Sequence, residues 1–118
     1  MIANTTGNQN TATGYHSLYA NTTGAQNTAN GISTLSTNTT GMNNTALGAF
    51  SLNGNNTGNG NTAVGSVALF KNSTGDNNVA TGNAALYENT TGNCNTAVGN
   101  NALRLNTDRS NLVAIGDS

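Results

Sequence analysis

A chain of 118 residues with 25 Asn, 20 Thr and 15 Gly, no Pro or Trp and a formal net charge of -1 is not composed like an ordinary globular domain. Three cations, Lys71, Arg104 and Arg109, cannot displace the counterions of a nucleic acid, which excludes nucleic acid as a partner. Neutrality and the absence of Pro separate the chain from disordered sequences, and no run of 18 apolar residues is present to span a membrane.

In chain order, the first segment is Asn4-Thr5-Thr6-Gly7, which predicts a turn: Asn side chains bond nearby backbone and Gly reaches the left-handed region. A second segment follows at Asn10 and reads N-T-A-V-G in its fullest copies, Asn61 to Gly65 and Asn95 to Gly99. It predicts a short strand with Thr62 and Val64 on one face and Ala63 on the other, closed by Gly65 at positive φ. The third segment surrounds Leu18 and reads "AALYE" around Leu86, predicting a second strand or a tight inward loop whose Leu fills the interior. At Asn21 the spelling starts again.

The restart recurs without slippage, at 4, 21, 38, 55, 72, 89 and 106, so one repeat region fills residues 1–118. Gly14, Gly31, Gly48, Gly65, Gly82, Gly99 and Gly116 are spaced by 17, as are Leu18, Leu35, Leu52, Leu69, Leu86 and Leu103. A second glycine series, Gly7, Gly24, Gly41, Gly58, Gly75 and Gly92, ends where Arg109 takes its place. Helical solenoids need longer repeats, and Asn, Thr and Gly are poor helix formers. The expected fold is therefore all-β, a parallel β-solenoid with 17-residue coils, about seven of them. At about 3.3 Å per residue one coil has a perimeter of about 56 Å, room for two short strands and two turns, and coils about 4.8 Å apart make a rod of about 34 Å. Asn columns in register are expected to form side-chain amide ladders.

Catalysis needs a base, a nucleophile or a metal in a concave site. His16 is the single histidine, and Asp76, Glu88, Asp108 and Asp117 fall at different repeat positions, so no enzyme, cofactor or metal site is expected. Cys94 has no partner for an internal disulfide; it fills a variable repeat position or bridges to another chain. The opening residues lack the regions of a signal peptide, so if the protein is exported its signal is expected outside this stretch. Asn4, Asn21, Asn38, Asn55, Asn72 and Asn89 each begin an N-x-T sequon, which makes them candidate glycosylation acceptors as well as turn formers. Of the scattered aromatics, Phe70 and Tyr87 share one repeat position in adjacent coils and form a candidate sticky strip.

Six Leu with small Ala and Val make a thin core, and neither end reads as a polar cap. Either self-association or a place within a longer rod is therefore expected, the most economical arrangement being a parallel homotrimer that packs small apolar faces about a common axis. The N-T-A-V-G copies, and above all "TDRSNLVAIGDS" from Thr107 to Ser118, resemble the YadA-type head repeats of trimeric autotransporter adhesins. The stretches "NTAVGNNAL" and "NTTG" are also similar to segments of bacterial surface proteins and phage tail fibres. The resemblance implies a left-handed parallel β-roll, three copies together, on a cell or virion surface, meeting a host-surface or matrix ligand or glycans. This chain departs from those heads in its longer period and its N-T-T-G insertion, and it shows no coiled-coil stalk and no membrane anchor. Two rivals stand beside an adhesive fibre. An ice-binding face needs Thr at alternating positions, which only Thr11 to Thr13 supply, because Thr45-Ala46-Leu47 and Thr62-Ala63-Val64 break the column. A self-assembling, glycosylated matrix filament is the other.

Overall fold

A computed structural model describes residues 2–117 and shows a parallel β-solenoid. Its seven strands are β1 (Thr11–Thr13), β2 (Thr28–Asn30), β3 (Thr45–Leu47), β4 (Thr62–Val64), β5 (Val79–Thr81), β6 (Thr96–Val98) and β7 (Val113–Ile115). They form one parallel sheet in chain order, with every residue paired to the one seventeen positions on, as in Ala46↔Ala63. Six full turns separate β1 from β7, and the rod measures 39 × 22 × 17 Å. No helix occurs among the described residues.

Each coil contains one strand, not two, so the segment around Leu resolves as the tight inward loop. Ser66 to Lys71 is turn throughout, because Val67 (φ 52°) and Leu69 (φ 50°) are both left-handed. Two left-handed residues flanking one ordinary residue double the backbone back within half a turn, and no extended run survives that. Left-handed Leu is uncommon and costs about 1–2 kcal/mol. Burial of the side chain offsets this cost: Leu18, Leu35, Leu52, Leu69 and Leu86 are fully enclosed, and Leu103 is packed against the same core. The loop's backbone groups bond along the rod axis, as strands do, with Leu52 N–H donating to Ala68 O at 2.8 Å and Leu69 N–H to Ala85 O at 2.9 Å. The Ala of each strand from Ala29 to Ala97 completes the interior from the other side.

The glycines have two distinct roles. Gly14, Gly31, Gly48, Gly65, Gly82, Gly99 and Gly116 end the strands at φ between 121° and 139°, as the sequence requires. The Gly7 series corrects the expectation of a left-handed turn, because none of its members lies at positive φ. These positions are glycine because coils approach closely there. A Cβ on Gly24 would stand 2.5 Å from Gly41 O of the next coil.

Two Asn columns run through the interior, fully buried from Asn21 to Asn89 and from Asn27 to Asn95. In the first, each Nδ2 donates to the preceding Asn Oδ1 and to the Gly carbonyl three residues on; Asn55 makes these bonds to Asn38 and Gly58 at 2.8 and 3.0 Å. In the second, each Oδ1 from Asn10 to Asn78 accepts the backbone N–H of the following Asn, as Asn44 does from Asn61 at 2.9 Å, while Nδ2 reaches a Gly carbonyl of the next coil. Asn suits both columns because one short side chain offers a donor and an acceptor without charge. The expected ladders are present, and they also tie side chain to backbone.

Every buried polar side chain among the described residues is Asn, Ser or Thr, none of which titrates. Stability is therefore expected to be flat from about pH 5 to 9. Lys71 Nζ donates to Glu88 Oε2 at 2.7 Å, and this bond raises the Lys71 pKa. A raised Lys71 pKa means that the lysine's contribution is whole at neutral pH and is lost as pH climbs through the alkaline range. Both groups are partly exposed, so the contribution is small and screened by salt. Melting curves at pH 5, 7 and 9 check this; a midpoint moving by many degrees contradicts it.

Candidate functional site: the outward strand face

A regular outward surface is built from the first and third residues of each strand, because the middle Ala points in. In-register pairing places these residues in two straight columns about 4.8 Å apart along the rod. The first column carries Thr11, Thr28, Thr45, Thr62 and Thr96, with Val at 79 and 113. The second changes character along the rod, from Thr13 and Asn30 to Leu47, Val64, Val98 and Ile115, with Thr81 between. Neither column contains a charge. Leu47, Val79 and Val98 are each 37 % exposed, and at the last coil Val113 and Ile115 stand almost free in solvent. Apolar side chains here have no interior to enter, because Leu, Ala and the two Asn columns already fill it.

The sequons lie elsewhere. Asn21, Asn38, Asn55, Asn72 and Asn89 are fully buried, and both hydrogens of each amide are donated, as with Asn72 to Asn55 Oδ1 and Gly75 O. A glycan on Nδ2 would replace one of those hydrogens inside the ladder, so the folded coil has no place for it. Asn4 is the exception, with an exposed side chain. The burial was not visible in the N-x-T pattern, although the unbroken recurrence of Asn at one position was its signal.

Phe70 and Tyr87 do stack, with ring centroids 5.1 Å apart and an 8° interplanar angle. The Arg104 guanidinium lies 5.3 Å and Lys71 Nζ 5.7 Å from the Tyr87 ring centre. Tyr15, His16 and Tyr19 form a second cluster in the first coil. Both groups belong to the loop side of the coil and are separate from the strand face. Cys94 is exposed and unpaired. No three of His, Cys, Asp and Glu converge among the described residues. At the last coil an open cavity of about 630 Å³ is lined by Leu103, Asn106, Arg109, Leu112 and Ile115, among others.

One axial relay was missed from the sequence. Met42 N–H donates to Asn59 Oδ1, Asn59 N–H to Asp76 Oδ1 and Asp76 N–H to Asn93 Oδ1, all at 2.7 to 2.9 Å. Its signal was an amide or carboxylate recurring at 59, 76 and 93. No family model, no curated protein and no solved structure matches the chain.

Proposed function

We propose that this chain is a rigid, non-catalytic segment of an extracellular fibre, on a cell or virion surface, whose copies associate side by side as a parallel trimer through the strand face. The observation that carries the reading is the uncharged, regular, partly apolar face running the length of a rod whose interior is already full. Hydrophobic surface in such a continuous strip is stabilised by covering it. Three identical rods about one axis bury three such strips with no edge left over. The likeness of the Thr107 to Ser118 segment to adhesin heads supports the same arrangement. An adhesive role toward a host-surface or matrix ligand, or glycans, belongs with this reading; the aromatic and cationic side chains of the loop side then remain available for contact.

Light scattering at micromolar concentration is expected to give three times the chain mass of 11.8 kDa. A compact monomer at that concentration overturns the proposal. Val98→Lys places a charge within the strip that the trimer would cover, where an unpaired charge costs several kcal/mol. It is expected to dissociate the trimer while leaving the circular dichroism of the coil intact.

The Thr column favours a second reading, an ice-binding face, since five of its seven positions are Thr and Val replaces the others. The mixed second column weighs against it. Thermal hysteresis in a monomeric preparation would select this reading over the trimer.

A further inference from the structure

The seventh coil differs from the six before it at the positions that face the next layer. From coil to coil, three features admit the following layer: a missing Cβ in the Gly7 series, a free Oδ1 at the end of the first Asn column, and a free Oδ1 at the end of the second. All three are altered in residues 106–112.

The first is blocked. A Cβ on Gly75 would lie 2.5 Å from Gly92 O of the next coil and 2.5 Å from Asn72 Oδ1. Arg109 occupies the equivalent place, and its backbone is held identically: Asn106 Nδ2 donates to Arg109 O at 3.0 Å, as Asn72 does to Gly75 O at 2.9 Å. Its Cβ therefore points at the site where the carbonyl of a further coil would sit. The second feature is covered. Each Oδ1 from Asn4 to Asn89 accepts the Nδ2 of the following Asn, whereas Asn106 Oδ1 is buried without a partner. An acceptor that water cannot reach is closed to an incoming amide as well. The third feature is deleted. Asn95 Oδ1 accepts Leu112 N–H at 3.0 Å, but the Leu112 side chain has no oxygen to offer a further coil.

We propose that Arg109 and Leu112 make the seventh coil an end plate that prevents in-register, head-to-tail addition of the first coil of a second copy. Parallel coils with open ladders are otherwise templates for their own kind, because every backbone group at an open end seeks the same partner. The end plate forbids axial growth at the level of single atoms, while the strand face remains free. The end is polar only in part: Arg109 is charged, yet Leu112 and Ile115 are not, and the bar to growth is steric and hydrogen-bonding instead of a layer of charge. This inference stands on coil geometry alone and does not depend on lateral association.

The test compares the full chain with the Arg109→Gly, Leu112→Asn double variant by analytical ultracentrifugation and electron microscopy over a hundredfold range of concentration. The wild-type rod is expected to keep its 39 Å length throughout. The double variant is expected to lengthen in multiples of that unit, with mass rising at least tenfold. End-to-end rods in the wild type, or a folded double variant that stays at wild-type size, overturn the proposal. A second measurement is independent of affinity between molecules and covers a double variant that fails to fold. In a tandem chain with residues 17–118 following Ser118 in phase, the native junction is expected to melt as two units and the Arg109→Gly, Leu112→Asn junction as one. Indistinguishable melting of the two tandem chains also overturns it.

Discussion

Gly75→Ala is expected to break the rod between its fifth and sixth coils. The added carbon meets Gly92 O and Asn72 Oδ1 at 2.5 Å and Asn89 Nδ2 at 3.0 Å, all inside van der Waals contact. Two of these atoms belong to the buried ladder and one to the backbone, so none is the free end of a flexible side chain. Relief requires the coils to part, yet their separation is set by axial bonds such as Lys71 N–H to Tyr87 O and Ser73 N–H to Thr90 O. Overpacking of this kind costs about 3 kcal/mol or more. Typical domains have only about 5–15 kcal/mol in total. Since each coil touches only its neighbours, the damage separates the coils of β1 to β5 from those of β6 and β7 instead of spreading evenly. The backbone at Gly75 is not left-handed, so the loss is a matter of space alone. Denaturant unfolding checks it, with Ser66→Ala on the exposed loop as a control near zero; a Gly75 variant as stable as that control would refute the steric account.

The second large effect is expected at Asn61. Its Nδ2 donates to Gly75 O at 2.8 Å and to Asn44 Oδ1 at 3.2 Å, and its Oδ1 accepts the N–H and Nδ2 of Asn78 at 2.9 and 3.1 Å. Gly75 O keeps a second donor in Asn72. Asn61→Ala therefore chiefly orphans the backbone N–H and one amide hydrogen of Asn78, inside a fully buried column. At about 1–3 kcal/mol for each buried unsatisfied group, the loss is about 4 kcal/mol. Asn61→Asp keeps the acceptor but turns it into a buried anion facing Asn44 Oδ1. Burial raises such a carboxyl's pKa, so its destabilisation is full above that pKa and relaxes as pH falls. Unfolding midpoints across pH separate the two variants: the Ala loss is flat, the Asp loss shrinks in acid. Equal pH dependence would mean that the column does not act as a neutral amide ladder.

Much of this fold is legible in one dimension. Alternation in Thr62-Ala63-Val64 identifies the strand and its inward residue, and the Gly65 series identifies the turn that closes it, because both rest on the residue's own backbone and its nearest neighbours. The Gly7 series misleads for the complementary reason. Its glycine is required by a carbonyl seventeen residues away, and turn chemistry read locally assigns it a left-handed φ that it does not have. The loop around Leu69 is ambiguous in sequence because left-handed Leu is locally unfavourable; only the enclosure gained from neighbouring coils makes it stable.

The candidate face shows the same division. Its two columns follow directly from the period and the alternation. That it is the uncharged, unfilled side of the rod follows only from the packing of Leu, Ala and the two Asn columns, which exhausts the interior. The sequon Asn side chains are the converse: exposed turn residues by local chemistry, sealed amides in the coil.

The amino-acid order alone thus determined the register, since a constant interval of 17 without insertion leaves one way for equivalent residues to pair. Tertiary structure decided which polar groups lie inside, how many strands a coil holds and where stacking stops. Each of those outcomes depends on the distance to an atom in another coil, and the identity of a residue does not specify that distance.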